Sequence, residues 1–160
     1  CKHLILVPRH PERRESLRQL LKSSGLTHQF RTEGLVPEAQ VTVLDTLGEL
    51  QALLPVADVA FIGKSLPPHT GGQSPLGATS WGIPSVMGPE MSNFKAITAD
   101  LIQAEGAFQG KNEGEVAEKL SLLLGDPILR HTMGQKARAW HAHSQGATQR
   151  TLDLMLYGAH

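Results

Sequence analysis

Short apolar runs alternate with amphipathic stretches along this 160-residue chain. The runs at residues 3–7 (His3-Leu4-Ile5-Leu6-Val7), 27–31, 41–44, 59–62, 85–87 and 107–109 predict strands. Helical periodicity predicts helices over 12–24, 46–54, 75–81, 93–104 and 113–123, and a helical tail from Ile128 onward. Strand followed by helix, repeated, predicts an α/β fold: a Rossmann-like three-layer parallel sheet covered on both faces. Gly25, Gly82 and Gly125 each follow an apolar-periodic segment, as glycines that end helices do. No repeat or low-complexity segment interrupts the pattern. Residues 32–40, with Gly34 and Pro37, read as an ordinary connection without chemistry.

In open parallel sheets the ligand lies outside the carboxyl ends of the strands. Three punctuated loops fall there, at residues 8–12, 63–74 and 88–93, and they are expected to converge. The second is the most informative. Glycines at 71 and 72 allow close backbone approach, Ser74 can cap a helix, and Pro75 sits where a missing N–H costs nothing. The free amides of this loop and the helix dipole then predict an anion site. Gly88-Pro89-Glu90-Met91-Ser92-Asn93-Phe94-Lys95 opens another helix, with Asn93 or Ser92 as its expected cap and Phe94 in the core. In the first loop, Arg9 offers phosphate or carboxylate a two-pronged donor set beside His10. The plainer alternative makes Arg9 a salt-bridge partner and His10 part of the next helix start. Thr46 and Glu49 have the spacing of a capping box.

The length suits one compact domain, residues 1–160. Fifteen basic and fifteen acidic side chains cancel, so bulk charge holds neither a nucleic-acid backbone nor an anionic bilayer. The eight histidines are scattered without paired ligand spacing, and no metal or other cofactor is expected. Trp140, His141 and His143 are read as surface or interdomain residues, the two histidines lying on different helix faces. The single cysteine, Cys1, excludes an internal disulfide and fits a reducing compartment. No apolar run approaches a membrane span. The chain enters a strand almost at once, and a segment of a longer protein is therefore expected.

Several motifs occur together and in order: PRHPER at 8–13, DTLGEL at 45–50, FIGKSL at 61–66, GGQSPL at 71–76 and GPEMSNFK at 88–95. Together they resemble the carboxyl-terminal half of the bacterial 3-deoxy-D-manno-octulosonic acid (Kdo) transferases, over nearly the whole chain. The resemblance implies a GT-B architecture of two facing Rossmann-like domains, of which this is the donor half. It implies binding of CMP-Kdo or CMP and inverting transfer of Kdo to a lipid A precursor in lipopolysaccharide biosynthesis. By position it assigns Arg9 and His10 to the charged part of the donor and Gly63 and Ser65 to a turn contributing backbone and hydroxyl contacts. Gly71, Gly72, Gln73 and Ser74 would border the phosphate, with Asn93 and Lys95 in the third loop. DTLGEL would border the base. No catalytic residue is implied on this fragment: the general base, the acceptor and membrane association belong to the absent half. The full enzyme would work at the cytoplasmic face of the bacterial inner membrane, the fragment itself being soluble.

The chain departs from the family pattern at four places. Lys64 stands for a usual glycine, offering either a phosphate contact or a solvated loop charge. Ser74 stands for asparagine and Glu90 for histidine. Gly77 stands where the family carries a glutamate that, by analogy with related nucleotide-sugar enzymes, holds the ribose hydroxyls. Losing a charged acceptor costs about 1.5–3 kcal/mol. Two other readings therefore stay open: a binding or scaffold module with a degenerate site, and a GT-B domain that uses a UDP-sugar.

Overall fold

The computed structural model describes residues 3–34, 36 and 38–145; Cys1, Pro37 and the end of the tail lie outside the described residues. The chain divides into two compact units, Cys1–Leu53 and Leu54–His160. All six predicted strands are found, each as a three-residue core of its apolar run.

The first unit contains β1 (Leu4–Leu6), α1 (Arg14–Ser24), β2 (His28–Phe30), β3 (Val41–Val43) and α2 (Leu50–Leu53). Its strands are parallel in the order β1-β3-β2, with Leu4 and His28 both in register with Val41. Leu21 of α1 packs on Phe30, Val41 and Val43, with Leu6 and Leu17 alongside. A 3-10 turn at Pro11–Arg13 precedes α1, closed by the Arg13 amide on the His10 carbonyl at 3.0 Å. Gly25 ends α1 at φ +70°, donating its amide to the Lys22 carbonyl, as expected of a C-terminal glycine. The predicted helix over 46–54 contracts to α2. Gly48 turns the chain at φ +86°, and the Thr46 hydroxyl donates to the Glu49 carboxylate, a contact between side chains that caps no amide.

The second unit contains β4 (Ala60–Ile62), α3 (Leu76–Ser80), β5 (Ser85–Met87), α4 (Lys95–Gln103), β6 (Ala107–Gln109), α5 (Glu113–Gly125) and α6 (Pro127–Ser144). Its strands are parallel in the order β4-β5-β6. The strand period of two sorts the core into layers. Ile62, Met87 and Ala107 share one face with Leu101 of α4, and Val86 on the other face packs with Val116 and Leu123 of α5 and Met133 of α6. The expected helix–sheet–helix layering thus holds within this unit.

Gly82 follows α3 at φ +69°, as expected, but Gly125 is the last residue of α5 rather than a left-handed stop. The reason lies in the next residues. Asp126 caps α6 by accepting the Leu129 amide at 2.9 Å, and the Arg130 guanidinium donates to the Leu123 and Leu124 carbonyls at 2.8 and 3.0 Å. The open carbonyls of α5 are satisfied by a side chain, so no left-handed turn is required. Trp140 packs beside the Met87–Leu101 cluster, and the half-buried His141 meets the Thr79 hydroxyl at 3.1 Å. Trp140 and His141, read from the sequence as surface or interdomain residues, are thus half-buried in the second unit, and His143 is exposed.

Candidate functional site

In the second unit, the loops that follow β4 and β5 are built as one piece. The Ser65 side chain is fully buried, its hydroxyl donating to the Ile62 carbonyl at 2.5 Å and accepting the Gly88 amide at 2.9 Å. The Ser65 carbonyl accepts the Glu90 amide at 2.9 Å, and the Gly71 carbonyl accepts the Asn93 amide at 3.1 Å. Gly71 and Gly72 lie at φ +94° and +67°. A Cβ on Gly71 would stand 2.5 Å from Asn93 Nδ2, and one on Gly72 would overlap Met91 Sδ. The close neighbours of the glycine pair are thus protein groups, buried Met91 at Gly72 and the exposed Asn93 side chain at Gly71, whereas the sequence assigns the closeness to a ligand.

The amides have the same fate. Gly72 N–H donates to the Lys64 carbonyl at 3.1 Å and Gln73 N–H to the Gly63 carbonyl at 3.0 Å. With Gly88, Glu90 and Asn93 also paired internally, these amides do not form the open anion cradle that the sequence predicts. The helix contributes less as well. α3 is a five-residue turn with Pro75 at its cap position, and the Ser74 hydroxyl accepts the Leu76 amide at 3.3 Å. So short a helix sums few peptide dipoles. Asn93 does not cap α4; a 3-10 turn over Ser92–Phe94 leads in, and no side chain caps the helix. Phe94 packs on the core as expected.

These loops offer a ligand several side chains. Lys64, Ser74, Asn93 and Lys95 are exposed, and Gln73 is half-buried. Ser65 is held inside as a brace. Lys64 has φ +59°, a conformation that glycine adopts without strain and other residues rarely do.

In the first unit, Arg9 is exposed on the loop after β1, and His10 Nδ1 lies 3.0 Å from the carboxylate of exposed Glu12. A network that sequence reasoning missed occupies the carboxyl edge of this unit's sheet. Arg14 donates to Glu33 at 2.7 Å and to Thr32 Oγ1 at 2.9 Å, and its Nε lies 3.2 Å from Asp45. Thr32 gives Asp45 both its hydroxyl, at 2.6 Å, and its amide, at 3.1 Å. Arg18 grips Glu33 with two nitrogens, at 2.5 and 3.1 Å, and both guanidinium groups lie over the Phe30 ring. Burial pushes the Asp45 carboxyl up, but the Thr32 bonds, its own amide and Arg14 together hold it below its ordinary value. The hydrogen bond from Arg18 does the same for Glu33. The available signal was Asp45 itself, a carboxylate just beyond an apolar strand.

An open groove of about 430 Å³ lies against β6, with Ile102, Phe108 and Pro89 among its walls and Lys111 and Lys119 beside it. None of the sequence-predicted site residues lines it. Among the described residues no group of three or more His, Cys, Asp or Glu side chains could hold a metal ion.

No family model matches the chain. It is 36% identical over 155 residues to the 3-deoxy-D-manno-octulosonic acid transferase of Bordetella pertussis, a match covering 95% of this chain and 36% of that protein. The Haemophilus influenzae enzyme of the same name is 32% identical over the same shares of both chains. The crystal structure of the C-terminal CMP-Kdo binding domain of WaaA from Acinetobacter baumannii matches with a TM-score of 0.78 and 27% identity, covering 85% of this chain and 72% of that one. Over nearly its whole length the chain is homologous to Kdo transferases. It spans about a third of the length of the curated Kdo transferases it matches, 36% in both cases. Its α/β fold is that of the C-terminal domain solved from Acinetobacter baumannii.

Proposed function

We propose that the chain is the donor-binding domain of a two-domain GT-B Kdo transferase, residues 1–160 acting as one domain that takes CMP-Kdo. The observation that carries this is the likeness, over 85% of the chain, to a domain described as binding CMP-Kdo. Arg9 and His10 are assigned to the donor on the resemblance alone. In the second unit the exposed Lys64, Gln73, Ser74, Asn93 and Lys95 are the proposed contacts, with Gly63, Ser65, Gly71 and Gly72 shaping the turn that carries them.

In the proposed reaction an acceptor hydroxyl oxygen forms a bond to the anomeric carbon of Kdo as that carbon's bond to the CMP phosphate oxygen breaks. The bonding pair leaves with CMP, and the acceptor proton goes to a general base. This chain's task is to hold the departing phosphate by fixed charge. The base, the lipid A precursor and attachment to the cytoplasmic face of the inner membrane are proposed for the companion half. Among the described residues no helix is long and apolar enough to cross a membrane.

Calorimetric titration of the chain with CMP tests this reading. Saturable binding is expected, with UMP failing to compete; heat signals absent at millimolar CMP would overturn it. Gly77 and the paired loop amides favour a second reading, a module whose site has degenerated, and that silence is the outcome it requires. Preference for UMP over CMP would instead favour a UDP-sugar donor.

A further inference from the structure

Three described residues other than glycine have positive φ: Glu38, Lys64 and Glu105. Glu105 is engaged by Lys136, which donates to its carboxylate. Lys64 has no such partner: among the described residues no acidic side chain pairs with its ammonium, which stands exposed. Its backbone is fixed from both sides. The Gly72 amide holds its carbonyl at 3.1 Å, and the next residue is the buried brace Ser65. The fold thus imposes a glycine-like conformation at this position and nevertheless carries a long cationic side chain there.

The paired amides supply the second half of the argument. Gly72, Gln73, Gly88, Glu90 and Asn93 direct their N–H groups to protein acceptors, so backbone at these positions cannot neutralise an anion. With these amides spent, side chains must supply positive charge at these positions, and Lys64 carries it on the turn itself. We infer that Lys64 binds an anionic group of the donor, phosphate or sugar carboxylate, at a turn where glycine would be the conformationally easy residue. This rests on the donor-binding reading above. A lysine suits the role as a flexible point charge whose reach does not depend on the backbone angle that carries it.

The test titrates the full 160-residue chain and its Lys64→Gly and Lys64→Arg variants, at low and high salt, with CMP, with free Kdo and with cytidine. Lys64→Gly relieves the backbone and should melt at a higher temperature, which separates lost binding from lost folding. We expect this variant to lose about ten-fold in affinity for one anionic probe and to show a weaker salt dependence for it. Lys64→Arg should stay within about two-fold of the parent, and cytidine binding should be the same in all three. A loss for CMP assigns the phosphate, and a loss for Kdo assigns the carboxylate. If the parent binds CMP and Lys64→Gly binds both anions as tightly, the inference falls while the donor reading stands. A parent chain silent to CMP, Kdo and cytidine alike would remove both.

Discussion

Ser65 Oγ accepts the Gly88 amide at 2.9 Å while donating to the Ile62 carbonyl at 2.5 Å, so one buried hydroxyl joins the loops that leave β4 and β5. Replacing it by alanine leaves a buried N–H and a buried carbonyl each short of a partner. An unsatisfied buried group costs about 1–3 kcal/mol, and Ser65→Ala should lower unfolding stability by at least that much for the pair. Urea denaturation of the parent and the variant measures this. A loss under about 0.5 kcal/mol, no more than an ordinary surface substitution costs, would mean that water replaces the hydroxyl.

Gly72 meets two demands at once, a left-handed backbone and the absence of a Cβ where Met91 Sδ sits. A side chain in the left-handed region costs roughly 1–2 kcal/mol, and overpacking a fitted site adds about 1–3 kcal/mol. Gly72→Ala should therefore destabilise by about 2–5 kcal/mol. Gly63 is the control, since a Cβ there meets nothing within 4 Å and its φ is not positive. Equal melting temperatures for the two variants would contradict the seating of one loop on the other.

The alternation of apolar runs and helical periods was enough to place all six strands and their parallel pairing, because strand and helix leave different periods in sequence, but not their division into two three-stranded sheets. What could not be read was which partner each polar group finds. Gly71 and Gly72 signal close approach, but sequence does not say whether a ligand or Met91 and Asn93 approaches. Arg130 replaces the left-handed stop at Gly125 from the following helix, and Thr46 spends its hydroxyl on Glu49. Asp45 stood only as the first residue of DTLGEL, because its partners, Arg14 and Thr32, come from distant positions in the chain. Apart from Thr46 and Glu49, which are three residues apart, each miss is a contact between segments that local pattern does not encode.

The Asp45 network makes acid stability a test of the first unit. Its carboxyl, pushed up by burial but pulled further down by Thr32, its own amide and Arg14, lies below its ordinary value of 3.8. A depressed folded value means that the unfolded chain binds the proton more readily. The stabilisation is complete above the ordinary value and is lost as pH falls from there through the folded one. Glu33, lowered by the hydrogen bond from Arg18, acts in the same direction. Denaturation from pH 7 to pH 2 should show a steeper loss for the parent than for Asp45→Asn, which has no carboxyl to protonate. Parallel pH profiles would remove Asp45 from the network's energetics.

Two helical glycines in the second unit should respond oppositely to alanine. Gly134, in α6, is buried, and a Cβ there would overlap the Gly82 carbonyl, with Pro84 Cδ 3.6 Å away. Gly82 is itself fixed at φ +69° behind α3, with a Cβ position 3.1 Å from the Gly134 carbonyl, so neither backbone can yield without opening the contact of the two segments. Alanine gains up to about 1 kcal/mol in helix propensity, but separating the packed backbones costs more, and Gly134→Ala should be destabilising by about 1–3 kcal/mol. At Gly125 a Cβ meets nothing within 4 Å and φ is not positive. Gly125→Ala should stabilise the chain by about 0.5 kcal/mol, less than the mid-helix value because it ends α5. Thermal melts of the two variants check the pair. If Gly134→Ala melts at or above the parent temperature, close backbone contact between α6 and the turn after α3 does not hold the second unit together.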